Sequence, residues 1–219
     1  MNGGRTVFRK TLIAAGLSAA LAFAAGVAAA ATTTWDTLTG ATIDSRFIAN
    51  VYGEQASSGQ VSTALIFEAS VTGTVVSIDV ALSRWGRNTP ANVIFSFYTS
   101  GGSVPGTLLG SAPAVEATSF NPLIQTVSGW GSTLLTAGQT YWLVAEAATP
   151  VDQLYLYRTD PEAAGQRAFF NGSEWQVASN VVPAARITVS PIPLPASGVL
   201  LIIGLGGLGA LGRRRRLSA

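Results

Sequence analysis

Apolar and polar residues alternate along several short segments of the chain. Apolar residues recur at Val76, Ile78, Val80 and Leu82 in one segment, and at Val93, Phe95 and Phe97 in the next. A period of two is typical of a β-strand with one buried face. Short runs rich in β-branched and aromatic residues predict three more strands, at residues 141–145, 154–157 and 186–189.

Residues that favour turns lie between these segments. They are Gly101-Gly102, Pro105-Gly106, Ala137-Gly138 and Asn171-Gly172. We also interpret Arg84-Trp85-Gly86-Arg87 as a turn at the end of a strand. No sustained helical period occurs between Thr32 and the C-terminal tail. Many short strands separated by turns predict an all-β fold, an antiparallel β-sandwich or jelly roll, over residues 32–190.

The N-terminal segment, residues 1–31, has the three parts of a secretory signal peptide. Arg5, Arg9 and Lys10 supply positive charge, residues 11–27 are apolar, and Ala29-Ala30-Ala31 offers a cleavage site. We therefore predict a signal helix, export through the secretory translocon and cleavage by signal peptidase. An uncleaved membrane anchor is the alternative.

The C-terminal segment, residues 191–219, has a proline-rich start, an apolar run and a block of four arginines. A helix over residues 196–212 would be roughly 25 Å long, at the short limit for crossing a ~30 Å hydrocarbon core. Arg213, Arg214, Arg215 and Arg216 would hold its end in the cytoplasm as membrane stop charges. The pattern predicts a transmembrane helix, and an ordinary single-span anchor remains open.

This tail resembles the VPLPA-CTERM variety of PEP-CTERM sorting signals. The match lies in Ile192-Pro193-Leu194-Pro195-Ala196, the glycine-rich apolar run and the arginines; Ile192 replaces the usual valine, and three residues follow the arginines. The resemblance implies a precursor anchored in the inner membrane of a Gram-negative bacterium. It also implies processing by an exosortase, and delivery to the cell surface or the exopolysaccharide matrix.

The body of the chain resembles the choice-of-anchor surface domains over residues 61–189. The similarity lies in residues 97–110, in residues 135–144, and in Trp175 ahead of Ala185-Arg186-Ile187. That family consists of extracellular β-sandwiches that occur with interchangeable C-terminal sorting signals. The resemblance therefore implies a sandwich, and it supplies no catalytic residues.

The composition excludes several classes of function. The chain has no histidine and no cysteine, and its single lysine lies in the signal segment. Zinc sites with His or Cys ligands, iron–sulfur clusters, Ser-His-Asp triads and disulfides are therefore excluded, and we predict no metal or cofactor. Residues 32–190 carry six arginines and eleven acidic residues, a net charge of −5. This balance disfavours a nucleic-acid partner.

Catalysis by paired carboxylates is one alternative function. Glycosidases need two carboxyl groups about 5–10 Å apart, and nothing in the spacing of the acidic residues singles out a pair. The candidates are Glu68, Asp79, Glu116, Glu146, Asp152, Asp160, Glu162 and Glu174. Asp152, Asp160 and Glu162 could also bind a cation, although a polar loop explains them more simply.

Carbohydrate binding is the function that we favour. The candidate ligand-binding aromatics are Tyr155, Tyr157, Trp85, Trp130 and Trp175, because flat rings cover the apolar faces of sugars. We expect Tyr155 and Tyr157 to form an exposed pair, with Leu154 and Leu156 on the other strand face. The sequence thus predicts an exported, non-catalytic structural, adhesive or carbohydrate-binding sandwich. Exopolysaccharide is a candidate partner, and the identity of the ligand stays open. A carbohydrate-active enzyme and a simple membrane-anchored periplasmic protein are the alternatives.

Overall fold

The computed structural model describes residues 30–86, 90–178 and 181–192, and these form two antiparallel β-sheets without a helix. The first sheet contains β1 (Thr32–Asp36), β2 (Thr42–Tyr52), β4 (Gly73–Arg84), β8 (Leu123–Ser128), β9 (Leu134–Leu135), β11 (Gln153–Asp160) and β14 (Ala185–Pro191). The second contains β3 (Ser62–Glu68), β5 (Asn92–Ser100), β6 (Pro105–Ser111), β7 (Val115–Glu116), β10 (Thr140–Ala147), β12 (Arg167–Phe170) and β13 (Trp175–Ala178).

The long strand β4 organises the first sheet. It pairs with β14 along residues 73–80 and with β11 along residues 82–84, while β8 and β9 also pair with it. Strand β1 pairs with β14, and β2 pairs with β11. The second sheet has the order β13-β12-β3-β10-β5-β6, with β7 pairing with β5. Strands that are distant in sequence therefore meet in both sheets.

One shared apolar core joins the two sheets. It includes Ile78, Val80 and Leu82 from β4, and Val93, Phe95 and Phe97 from β5, all of them buried. Neighbouring residues on the same strands point outward, as the period of two predicts. The predicted all-β fold and the β-sandwich are confirmed for the described residues.

Strand β4 departs from the predicted pattern at its start. We expected Val76 to join the buried face with Ile78, but Val76 is 41% exposed and Val75 is buried instead. The register with β14 shifts here, because Val189 lies opposite Val75 while Thr188 lies opposite Ser77. A β-bulge of this kind inserts one residue and reverses the alternation. The sequence pattern alone does not show it.

Three of the four predicted turns are confirmed, and Gly102, Gly138 and Gly172 adopt positive φ angles there. The prediction for Pro105-Gly106 is wrong, because β6 begins at Pro105. The hairpin turn closes one residue earlier, where the Gly101 N–H donates to the Val104 carbonyl at 3.0 Å. Strand β4 ends at Arg84 as expected.

The compact unit of the described chain spans Ala30–Ile192. Residues 1–29 of the predicted signal peptide, Pro193–Ala196 of the sorting motif and the arginines at 213–216 lie outside the described residues, as does Arg87. Ile192 is exposed, and its N–H donates to the Thr72 carbonyl at 3.3 Å. Within the described ranges, no helix has the length and apolar character needed to cross a membrane.

Candidate functional site

Four aromatic rings meet on the outer face of the first sheet, two from β2, one from β11 and one from the residue that directly follows β4. We call Phe47, Tyr52, Trp85 and Tyr155 the outer aromatic cluster. The ring of Tyr155 stacks on Phe47 with centroids 4.2 Å apart, and it meets Trp85 edge to face at 4.9 Å. Tyr52 contacts Tyr155 edge to face at 6.5 Å. Tyr155 therefore lies at the centre of the cluster.

The rings of the outer aromatic cluster differ in exposure. Phe47 is 49% exposed and Trp85 is 51% exposed, whereas Tyr155 is 8% exposed. The buried ring thus separates two rings that each present about half of their surface to solvent. Large exposed apolar patches on soluble proteins are typical of interaction sites.

The predicted exposed pair, Tyr155 and Tyr157, is wrong in one respect. The two tyrosines share the outer sheet face, and Leu154 and Leu156 point into the core, as expected. Both tyrosines are nevertheless buried, with Tyr157 only 6% exposed. The reason is that the rings of Phe47 and Trp85 pack against Tyr155, and the hydroxyl of Tyr157 is hydrogen-bonded to the buried Ser83.

Hydrogen bonds hold the tyrosine hydroxyls in place. The Tyr157 hydroxyl lies 2.9 Å from Ser83 Oγ, and both residues are buried. Burial is the larger cause, and hydrogen bonding with Tyr52 the smaller, of a pKa of Tyr155 that lies above its ordinary range. The ring of Tyr155 therefore lies in a largely desolvated position between the two exposed rings.

The other two predicted aromatics lie elsewhere. Trp130 is buried between the sheets, with its ring 4.8 Å from Phe97 and its Nε1–H donating to the Val127 carbonyl. Its predicted position in an accessible ligand site is therefore wrong. Trp175 lies on β13 of the second sheet, where it contacts Phe170 at 5.6 Å. Of the five predicted aromatics, only Trp85 and Tyr155 contact each other in the outer aromatic cluster.

Phe47 and Tyr52 were not predicted. Both lie on β2, where the register with β11 shifts between Ala49 and Phe47. The shift breaks the alternation, so the sequence shows no regular strand pattern that would mark Phe47 as outward-facing. The position of Phe47 directly after Asp44, Ser45 and Arg46 could have indicated its exposure, because polar neighbours are typical of an exposed strand segment.

A cleft of about 210 Å3 adjoins the outer aromatic cluster at Tyr52. Its walls come from Tyr52–Glu54 with Gln60 on one side and from Ala147–Pro150 on the other. The two walls approach so closely that a Cβ at Gly53 would collide with the backbone of Thr149 and Pro150. Only glycine permits this approach.

A second cleft, of about 400 Å3, lies at the other end of the domain. It is lined by Thr99, Ser100, Gly138, Gln139, Thr140 and Tyr141. The nearby Ala137 N–H donates to Thr72 Oγ1, next to the first residue of β4, whereas Trp85 follows the last residue of that strand. The two clefts are therefore separated by the length of β4.

The carboxylates do not form a pair in either cleft. Glu54 is the one acidic residue among the lining residues of the first cleft, and the second cleft is lined by none. Burial raises the pKa of Glu146, but this residue lies on β10 opposite Ile94 and lines neither cleft. The arrangement of these two clefts gives no support to the paired-carboxylate alternative.

The three residues considered for a cation do not meet at one point. Strand β11 separates Asp152 from Asp160 by roughly 25 Å, at about 3.3 Å per residue. Asp152 Oδ2 accepts a hydrogen bond from the Thr149 N–H, and Glu162 pairs with Arg158 at 2.5 Å. In the part of the chain that the structure describes, no group of three or more acidic residues could hold a metal ion.

Comparison with known proteins does not assign the chain to a family. No protein-family model matches it, and a search of curated proteins finds no significant match. The functional argument therefore rests on the residues of this chain alone.

Proposed function

We propose that the domain binds carbohydrate without catalysis, as an exported module of the cell surface or of the exopolysaccharide matrix. The observation that carries this proposal is the pairing of two half-exposed rings, Phe47 and Trp85, around the buried ring of Tyr155. Aromatic faces cover the C–H faces of sugar rings, while the hydroxyls of the sugar remain available to polar groups and water.

The sheet itself holds these rings in position. Phe47 lies on β2, Tyr155 on β11, and Trp85 directly follows β4. The backbone N–H of Trp85 donates to the Gln153 carbonyl at 2.8 Å. Rings that are already ordered before binding lose less conformational entropy when a ligand arrives. A rigid aromatic surface suits a ligand whose individual contacts are weak.

Export and sorting complete the proposal. They rest on the signal-like segment at residues 1–31 and on the tail with its Ile192–Ala196 motif, apolar run and four arginines. The signal helix and the transmembrane helix belong to this part of the proposal, as does processing by an exosortase. Intact-mass analysis of the native protein tests it. We expect loss of the residues from Arg213 onward, and a membrane-extracted protein that retains them would leave only a simple anchor.

The binding proposal is tested by alanine variants of the two exposed rings. Affinity electrophoresis in gels containing the exopolysaccharide of the host compares wild type with Trp85→Ala and Phe47→Ala. We expect each variant to lose most of the retardation while its melting temperature stays near that of wild type, because half-exposed rings contribute less to the core.

Val177→Ala is the matched control for these variants. Val177 is also about half exposed, but it lies on β13 of the second sheet. The Val177→Ala variant should be retarded by the polysaccharide as strongly as wild type. Unchanged retardation in both Trp85→Ala and Phe47→Ala would remove carbohydrate binding from this face of the domain.

A further inference from the structure

The cleft beside the outer aromatic cluster is held in shape by the backbone. Across the cleft, the Gly53 N–H donates to the Asp152 carbonyl at 2.9 Å, and the Gln55 N–H donates to the Pro150 carbonyl at 2.8 Å. The same loop is closed by two hydrogen bonds between Tyr52 and Val61. Glu54 therefore lies on a backbone segment that is fixed on both sides.

The cleft and the outer aromatic cluster share a residue. Tyr52 lines the cleft, and its ring contacts Tyr155, which in turn contacts Trp85. The cleft, at about 210 Å3, is smaller than the roughly 300–1,000 Å3 of pockets that enclose a drug-sized ligand. It has room for a group of about the size of one sugar, and a longer chain would continue onto the rings.

The lining of this cleft is polar and includes a single charged side chain. Gln60 offers an amide, Thr149 a hydroxyl, and Glu54 an exposed carboxylate, and no basic residue is among the lining residues. Asp152 at the base of the loop adds a second acidic group, whose Oδ2 accepts from the Thr149 N–H. A carboxylate accepts hydrogen bonds from sugar hydroxyls, but it repels an anionic sugar.

We propose that this cleft is a second subsite that makes the domain selective for neutral glycans over glycans rich in uronic acids. In this arrangement one sugar stacks on the outer aromatic cluster, and the hydroxyls of a neighbouring sugar bind in the cleft. Glu54 is the specificity-determining residue. The net charge of −5 over residues 32–190 acts in the same direction, because it repels anionic polymers at longer range. This inference rests on the proposed carbohydrate-binding function.

The test compares one neutral and one anionic polymer. Purified protein is run in native gels that contain either hydroxyethylcellulose or alginate, a polymer of uronic acids. We expect wild type to be retarded strongly by hydroxyethylcellulose and only weakly by alginate. Glu54→Gln should strengthen retardation by alginate roughly two- to fivefold, as expected for removal of one exposed charge contact. Glu54→Lys should strengthen it further.

Glu68→Gln and Glu68→Lys are the matched controls, because Glu68 is an exposed carboxylate at the far end of β3 and the net charge changes equally. They should leave retardation by alginate near that of wild type. Equal retardation of wild type by both polymers, or equal effects at Glu54 and Glu68, would overturn the selectivity.

Failure of the underlying function gives a different result. If Trp85→Ala is retarded by hydroxyethylcellulose as strongly as wild type, the outer aromatic cluster is not the binding site. If wild type is retarded by neither polymer, the selectivity is rejected, and the proposed function is rejected as well if the exopolysaccharide of the host does not retard the protein either. If Trp85→Ala abolishes retardation while the Glu54 variants change nothing, the site stands and only the selectivity is wrong.

Discussion

Two aromatic clusters in this domain have similar ring contacts and different surroundings. We call Phe67, Phe97, Trp130 and Tyr141 the inner aromatic cluster; its rings pack at centroid distances from 4.8 to 5.9 Å, and all four are buried. The outer aromatic cluster has distances from 4.2 to 6.5 Å, yet two of its rings are half exposed. Ring contact alone therefore does not distinguish a buried cluster from one at the surface, and exposure does.

The largest expected effect follows from removing a ring of the inner aromatic cluster. Trp130→Ala should lower the free energy of unfolding by about 3–5 kcal/mol, because it leaves a cavity beside Phe97 and removes a buried hydrogen bond to the Val127 carbonyl. Urea denaturation followed by fluorescence measures the change. A loss below about 1 kcal/mol would contradict the assignment of Trp130 to the core.

The central ring of the outer aromatic cluster should show both kinds of effect. Tyr155→Ala is expected to cost about 3 kcal/mol in the free energy of unfolding, since the ring is buried. It should also abolish retardation by polysaccharide, since Phe47 and Trp85 lose the ring between them. Tyr155→Phe keeps the ring and is the control. A Tyr155→Ala variant that binds normally would show that the exposed rings do not need this support.

Much of the fold could be predicted from the sequence, because alternation reports burial directly. It identified β4 and β5, and runs of β-branched and aromatic residues identified β10, β11 and β14, all to within a few residues at their ends. The alternation failed where the chain inserts an extra residue. The register shift at the start of β4 exposes Val76, and the shift in β2 changes the face on which Phe47 lies. A bulge depends on pairing with a distant strand, and no local pattern records that pairing.

The candidate site was only partly predictable, for a related reason. Trp85 and Tyr155 were named from residue type, but their contact depends on the pairing of β4 with β11, which are about 70 residues apart in sequence. Trp130 was named on the same grounds and lies in the core. The sequence shows which side chains are able to bind a sugar, and strand pairing decides which of them reach the surface.

A smaller effect is expected at the hydrogen-bonded hydroxyl groups of Tyr157 and Ser83, which lie next to the outer aromatic cluster. Tyr157→Phe leaves Ser83 Oγ buried without its partner, and it should cost about 1–3 kcal/mol in the free energy of unfolding. The double variant Tyr157→Phe with Ser83→Ala removes both polar groups and should recover part of that loss. A double-mutant cycle measures the coupling, and strictly additive losses would show that the hydrogen bond contributes nothing.

The smallest expected effect concerns a group of ion pairs around Asp44, which lies near the outer aromatic cluster and not near the inner one. Asp44, three residues before Phe47, accepts hydrogen bonds from Arg46 and, at 3.0 Å, from Arg158 Nε. The hydrogen bonds from Arg46, which are the larger cause, and from Arg158 hold the pKa of Asp44 well below its ordinary value near 3.9. A lowered pKa in the folded state means that this contribution to stability is full above about pH 4 and is lost as the pH falls further.

Asp44→Asn should therefore melt slightly below wild type at pH 7, with a gap that shrinks as the pH falls below about 4. The gap should be small and should shrink with added salt, because Arg46, the main partner of Asp44, is exposed to solvent. Glu68→Gln, the removal of an exposed carboxylate at the far end of β3, is the control. A gap that stays constant down to pH 2 would show that Asp44 acts through the shape of its side chain. If retardation by polysaccharide also falls in Asp44→Asn, these ion pairs position Phe47 as well as stabilising β2.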